Sequence, residues 1–298
     1  MVGCLSLGTM STAIKIFQGA FGRVSLLDMS KPLVIHAHHH CHALIKVSGV
    51  DSSFLVKGKS QPLTKDSVVL INAWEPHAYE HTPSGEGHCI LMALYLETSW
   101  LSQVLRSLTV SGHPQFFPKP CATLPPGARL LANALAAEML VSQDIAADIL
   151  EGKIFDLFMA TAERHSSLRD SSHLFSSLRA NTMDPRIRRA VGKMRENLRY
   201  GDNFADLATE SGLSRAHFFE LFRRSTNLTP AVYANALRVE AAIAELCKSN
   251  TRIGDISYNV GFSAPGHFTR FFRQHLGITP GEYRRVVDLV DDDIDLLL

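Results

Sequence analysis

The sequence predicts a multidomain α+β protein. It has a β-barrel in its first third, a helical connector, and a C-terminal all-α domain with two helix-turn-helix units. Three observations predict this. Short apolar runs broken by Gly, Asp, Asn and Pro fill residues 12–100, helical spacing takes over at 127–165, and from residue 205 the chain repeats itself. A length of 298 residues exceeds one ordinary core and suits two domains with a connector. The 46% hydrophobic and 20% charged content is that of a globular protein and excludes disorder. No apolar run approaches the roughly 18–20 residues of a membrane span, so no membrane partner is expected. The apolar start, Met1 to Met10, lacks a basic leader and does not read as a signal peptide. Five scattered cysteines, an odd number, suit the reduced thiols of a cytoplasm.

The first domain, residues 1–126, contains the strand candidates Val34–Ile35, Leu44–Val47, Phe54–Val56, Val68–Ile71 and Cys89–Leu96. Short strands at this spacing form a sandwich or barrel. In the connector, 127–165, Leu130, Leu131, Leu135, Met139 and Leu140 recur at helical intervals, followed by Ile145, Ile149, Ile154, Leu157 and Phe158. Two roles fit these helices: a cap on the barrel, or the interface of a homodimer. The serine-rich stretch 166–183 reads as a linker. Asp184-Pro185 then opens a helix, with Asp at the N-cap and Pro at the first helical position. The chain ends in an acidic tail, 287–298, with five aspartates and no base, expected to be a solvated end.

The net charge of +1 hides an asymmetry: residues 185–286 hold 16 Lys+Arg against 9 Asp+Glu. A basic block in a neutral chain is the footprint of a polyanion partner, although it is also a common solvated surface. The repeat sharpens the choice. Residues 205–224 match 254–273: Gly212 and Ser214 pair with Gly261 and Ser263 at an offset of 49. After one inserted residue, Phe218, Phe222, Thr229-Pro230 and Tyr233 pair with Phe268, Phe272, Thr279-Pro280 and Tyr283 at an offset of 50. Each copy has a short helix ending at a Gly that tolerates positive φ, an apolar plug (Leu213 or Phe262), and a Ser expected to cap a second helix. Such second helices enter the major groove of double-stranded DNA. Pro230 to about Lys248 reads as one connecting helix, some 19 residues and roughly 28 Å long at about 1.5 Å per residue. That length suits two adjacent grooves, about 34 Å apart on one DNA face.

At this point the sequence resembles the AraC/XylS family of transcription regulators. The segment G-F-S-A-P-G-H-F-T-R-F-F-R-Q-H-L-G-I-T-P-G-E-Y-R, residues 261–284, is close to that family's signature. The resemblance covers 184–286 strongly. It implies an activator, or sometimes a repressor, often binding as a dimer, with RNA polymerase as a further partner. It also implies the groove-facing residues: Arg215, Ala216, Phe219, Glu220, Arg223 and Arg224 in the first unit, and Pro265, Gly266, His267, Thr269, Arg270 and Arg273 in the second. Arg270 is suited to guanine and Glu220 to cytosine, and Phe219 to a thymine methyl. Arg223, Arg224 and Arg273 are suited to phosphate. Against this, Phe219 also suits the core and Glu220 a nearby Arg. The chain departs from the family pattern in having Glu220 where Arg is common, and Gly254 and Gly266 weaken their helices.

Residues 12–100 resemble, more weakly, the cupin-like effector-sensing domain of many family members. A cupin metal site reads H-x-H, then Glu, Gly and a later His. Here His36-x-His38, His42, Gly49 and His77 follow that spacing, with His42 where Glu is usual. Imidazoles suit a transition metal such as zinc, iron, nickel or copper. Three readings stand: a metal centre, a metal-free pocket for a small-molecule effector, or surface histidines. His39 and His40 are set aside as participants. The function expected is an effector-responsive, cytoplasmic DNA-binding transcription regulator with no catalytic residues. The rival class is a metal-dependent cupin enzyme fused to a DNA-binding module.

Overall fold

A computed structural model describes residues 11–81, 87–104, 116–142, 145–162, 183–199 and 203–290. The expected linker lies, apart from Met183, outside the described residues, as does most of the acidic tail. The first domain holds β1 (Thr12–Gly19), β2 (Gly22–Met29), β3 (Cys41–Gly49), β4 (Ser52–Val56), β5 (Lys59–Leu63), β6 (Ser67–Ile71), β7 (His77–Glu80), β8 (Cys89–Leu96) and β9 (Cys121–Thr123). One sheet runs β1-β2-β8-β3-β6-β9 and faces a second of order β5-β4-β7. Leu27, Leu44, Phe54, Val69, Tyr79, Leu91 and Tyr95 fill the space between them.

The larger sheet is covered on its other side as well. Val24, Leu26, Ala43, Ile45, Met92 and Leu94 point outward onto α2 (Pro126–Val141) and α3 (Ala147–Ala162). Strands buried on both faces read as continuous apolar runs rather than as alternation, which is how β8 appears in sequence. From the two helices, Leu135, Met139, Ile154, Leu157 and Phe158 enter this core. Leu130, Leu131, Leu140 and Ile149, equally apolar and equally periodic, stay exposed. The helices therefore cap the barrel and also carry an apolar outer face. Val34–Ile35 is not a strand. It leads into an isolated bridge in which the backbones of His36 and His77 exchange two hydrogen bonds of 2.9 Å.

After α1 (Thr98–Val104) and the connector helices come α4 (Pro185–Glu196), α5 (Phe204–Glu210), α6 (Arg215–Thr226), α7 (Pro230–Lys248), α8 (Ile253–Asn259), α9 (Pro265–Leu276) and α10 (Pro280–Val286). Asp184 caps α4 as expected, its side chain accepting from the Arg186 N–H at 2.8 Å. Two small cores share α7. One gathers Ile187, Met194, Leu207, Phe218, Phe222 and Tyr233; the other gathers Ile243, Leu246, Ile256, Phe268, Phe272 and Tyr283.

The two domains are packed together. Trp74 and Ala37 join the first helical core and Ile16 joins the second. The Tyr283 hydroxyl donates to Gln18 at 3.0 Å. Residues 287–289, expected as the start of a solvated tail, instead form β10 (Val287–Leu289), which lies parallel to β1 with Ile16 opposite Val287.

Candidate nucleic-acid interface and histidine centre

Each helix-turn-helix is set by local chemistry. Gly212 (φ +68°) and Gly261 (φ +91°) end α5 and α8 in the left-handed region, where a side chain is strained. Ser214 caps α6, accepting from the His217 N–H at 3.3 Å. Ser263 does not cap α9. The inserted residue lengthens the second turn, so Ala264 takes the N-cap position without a side-chain hydrogen bond, and Pro265 occupies the first turn.

The structure brings the expected groove-facing residues to one outer surface of each unit. Arg215, Ala216, Glu220, Arg223 and Arg224 on α6 are exposed, as are Pro265, Gly266, His267, Arg270 and Arg273 on α9, while Thr269 is half-buried. Phe219 is also half-buried. Its ring meets Phe204 edge-on at 5.8 Å, and the Arg215 guanidinium lies over it at 5.7 Å. The inward faces hold Phe218 and Phe222, and Phe268 and Phe272, all fully buried. Between the two units, α7 is one unbroken helix of 19 residues.

The histidine-rich segment, 36–42, runs from the His36 bridge into the start of β3, and His36, His38, His42 and His77 are all buried. One ring nitrogen from each of His38, His42 and His77 lies within 4.8 Å of the others. His36 is adjacent but outside that trio, its ring 4.3 Å from that of His77. The Nδ1 of His77 is 2.8 Å from the Glu75 carbonyl, which fixes Nδ1–H as donor and leaves Nε2 a lone pair. His77 Nε2, His42 Nε2 and His38 Nδ1 are buried without partners. Burial pushes His77 down to about 4. Burial, then the neighbouring His77, holds His36, His38 and His42 well below the ordinary imidazole range. His38 Nε2 and His42 Nδ1 lie 3.2 Å apart, so one of these rings donates to the other; neutral imidazoles with an unpaired nitrogen are the form that binds a metal ion.

Sequence reasoning missed two features. His39 and His40, set aside earlier, converge on Glu97 just past β8, at 2.9 and 3.0 Å. A cavity of about 280 Å³ opens beside them, between the barrel and the helical domain. Arg23, His40, Glu97, Leu237, Glu240 and Cys247 are among its walls. No local signal marks this site, since Glu97 and Glu240 stand far from the histidines in sequence.

The chain matches the family model of an AraC-like ligand binding domain over residues 35–178, and that of a helix-turn-helix domain over 207–286. The HTH-type transcriptional activator RhaS of Shigella sonnei (strain Ss046) is 23% identical over 255 residues, covering 83% of this chain and 86% of its own. The crystal structure of ToxT from Vibrio cholerae O395 aligns with a TM-score of 0.50 at 12% identity, over 93% of this chain and 96% of that one. A second ToxT structure from Vibrio cholerae gives 0.50 at 14% identity, over 88% and 97%. These structures share the fold, a sheet-rich domain followed by a helical one. Among the described residues no helix is long and apolar enough to cross a membrane.

Proposed function

This chain belongs to the AraC family of DNA-binding transcription regulators, and on that premise we propose that it is an effector-responsive activator working in the cytoplasm as a homodimer. The observation that carries the reading is the pair of outward-facing helices, α6 and α9, held apart by the unbroken α7. Its rise of roughly 28 Å suits adjacent major grooves on one face of a duplex. Arg270 and Glu220 read bases, and Arg223, Arg224 and Arg273 hold phosphates. The exposed apolar face of α2 and α3 fits the dimer contact, and activation runs through RNA polymerase bound alongside. Footprinting tests the reading: each protomer should protect two major grooves about one turn apart, with affinity falling steeply as salt rises. Protection of a single groove per protomer overturns it.

His38, His42 and His77 fit a transition metal of the zinc, iron, nickel or copper group, because each offers a buried nitrogen with no other partner. The metal would supply a charged, rigid crosslink there. The interdomain cavity is the roomier place for a small organic effector. An effector that binds one docking arrangement of the two domains better than another shifts the DNA-binding population by that difference. No catalysis is assigned to the histidines. The buried Glu75 carboxylate on the same segment is engaged by Lys57 and Asn72 rather than free to act as a base.

A further inference from the structure

We propose that His39, His40 and Glu97 form a second divalent-metal site, separate from the barrel trio, and that Glu240 of the DNA-binding module orients it, so that metal binding and domain docking reinforce each other. The Nε2 atoms of both imidazoles point at one oxygen of Glu97, at 2.9 and 3.0 Å, and the two rings lie 4.0 Å apart at 32°. The three ligand atoms fall within 4.8 Å of one another. A tetrahedral zinc with bonds of about 2.0 Å places its ligands about 3.3 Å apart, close to the 2.9 and 3.0 Å between each nitrogen and the carboxylate oxygen here. Two imidazoles and one carboxylate make a set that leaves further coordination positions open.

His39 is partly solvent-exposed and faces the interdomain cavity, which gives an ion its route in. Arg23 in the same cavity opposes a cation, but its guanidinium is stacked 3.9 Å from the Tyr95 ring and is within reach of the Tyr283 hydroxyl.

The link to docking is a single atom. His40 Nδ1 is buried with no hydrogen-bond partner and stands 3.9 Å from Glu240 Oε1 on α7. A metal on Nε2 fixes the proton on Nδ1, and that proton then has the Glu240 carboxylate to meet. The result is a carboxylate–histidine–metal relay spanning both domains. Undocking removes the carboxylate and weakens the metal; the metal in turn favours the docked arrangement.

The test is zinc titration of the full-length protein against a chromophoric chelator, with bound zinc counted by mass spectrometry. Wild type should hold two ions. His39→Gln and Glu97→Gln should each lose one and keep the other, and His77→Gln should do the reverse. Glu240→Gln should keep both while weakening one about 10–100-fold. His39 is half-exposed, so its variant should fold, and unchanged circular dichroism confirms that for all four. If His39→Gln and Glu97→Gln hold as much zinc as wild type, the site is overturned while the barrel centre stands. If Glu240→Gln binds both ions as wild type does, the link between metal and docking is overturned. Loss of zinc in His77→Gln alone leaves only the barrel reading.

Discussion

Trp74 of the barrel lies flat on Tyr233 of the DNA-binding module, the ring centroids 4.8 Å apart and the planes 16° from parallel. Trp74 sits at φ +60°, and its backbone N–H donates to the His38 carbonyl at 2.7 Å. One residue therefore joins the histidine segment to the first helix-turn-helix core. Replacing Trp74 by Ala removes a stack worth about 0.5–1.5 kcal/mol and should loosen docking. Trp74→Gly removes the same stack but relieves the left-handed backbone, so it should be about 1 kcal/mol more stable than the Ala variant in urea denaturation. Equal stability of the two would show that the backbone there is unstrained. Since the chain has two tryptophans, emission from a Trp100→Phe protein should report Trp74 alone and shift when effector changes the docking.

Arg270 and Arg273 should separate in binding assays. Arg270→Ala is expected to cost about 1–3 kcal/mol on the preferred site and to relax preference at one base step. Arg273→Ala should weaken all sequences alike and reduce the salt slope by about one. Equal losses on every sequence for both variants would remove the base-reading role of Arg270.

Acid should destabilise the metal-free protein in a defined window. An unfolded histidine takes its proton near pH 6.5, whereas folded His77 resists until about 4. Between those values the unfolded chain binds more protons at this group, so the stability that His77 contributes falls as pH drops from 6.5 to 4 and is constant below. His77 alone contributes about 3 kcal/mol of that loss. Chelator-treated protein unfolded in urea across this range measures it, and His77→Gln should make the profile shallower.

Cap chemistry differs between copies in a way that stability can read. Thr279 and Glu282 form a reciprocal capping box on α10, so Thr279→Ala should cost about 1 kcal/mol. Ala264 gives α9 no side-chain acceptor. Ala264→Ser should therefore gain about 1 kcal/mol, seen as a higher denaturation midpoint with unchanged slope.

The exposed residues of the connector predict assembly. Leu130 is 70% exposed and Val141 84%. Leu130→Glu with Val141→Glu should leave the fold intact and give a monomer in sedimentation analysis. A dimer that survives both changes places the interface elsewhere.

What the sequence made legible was local. Gly212, Gly261, Ser214 and the two Thr-Pro pairs act within a few residues of themselves, so the repeat exposes both helix-turn-helix units. The barrel histidines were legible as a group because five of them crowd residues 36–42. The spacing named three of them with His77, and His38, His42 and His77 converge, while the backbone bridge that sets His36 beside His77 is not written in strand alternation. Ser263 was expected at a cap because its neighbours match Ser214, but the inserted residue moves the helix start by one. Glu97 and Glu240 acquire their roles only through tertiary packing, which no spacing rule records. For Leu135 and Leu140 on α2, periodicity finds the helix but not which side meets the barrel.

The short strand after α10 makes the last described residues part of the first domain's sheet. The reading head is thus stitched at its far end to the protein's opening strand, and Lys15 pairs with Asp288 across the seam. Cutting the chain after Val286 would do two things at once: give the head a free swing, and bare the backbone amides and carbonyls of β1 as an adhesive rim for other chains. Truncations meant to isolate the regulator's moving part would therefore also create a sticky surface that the whole molecule keeps covered.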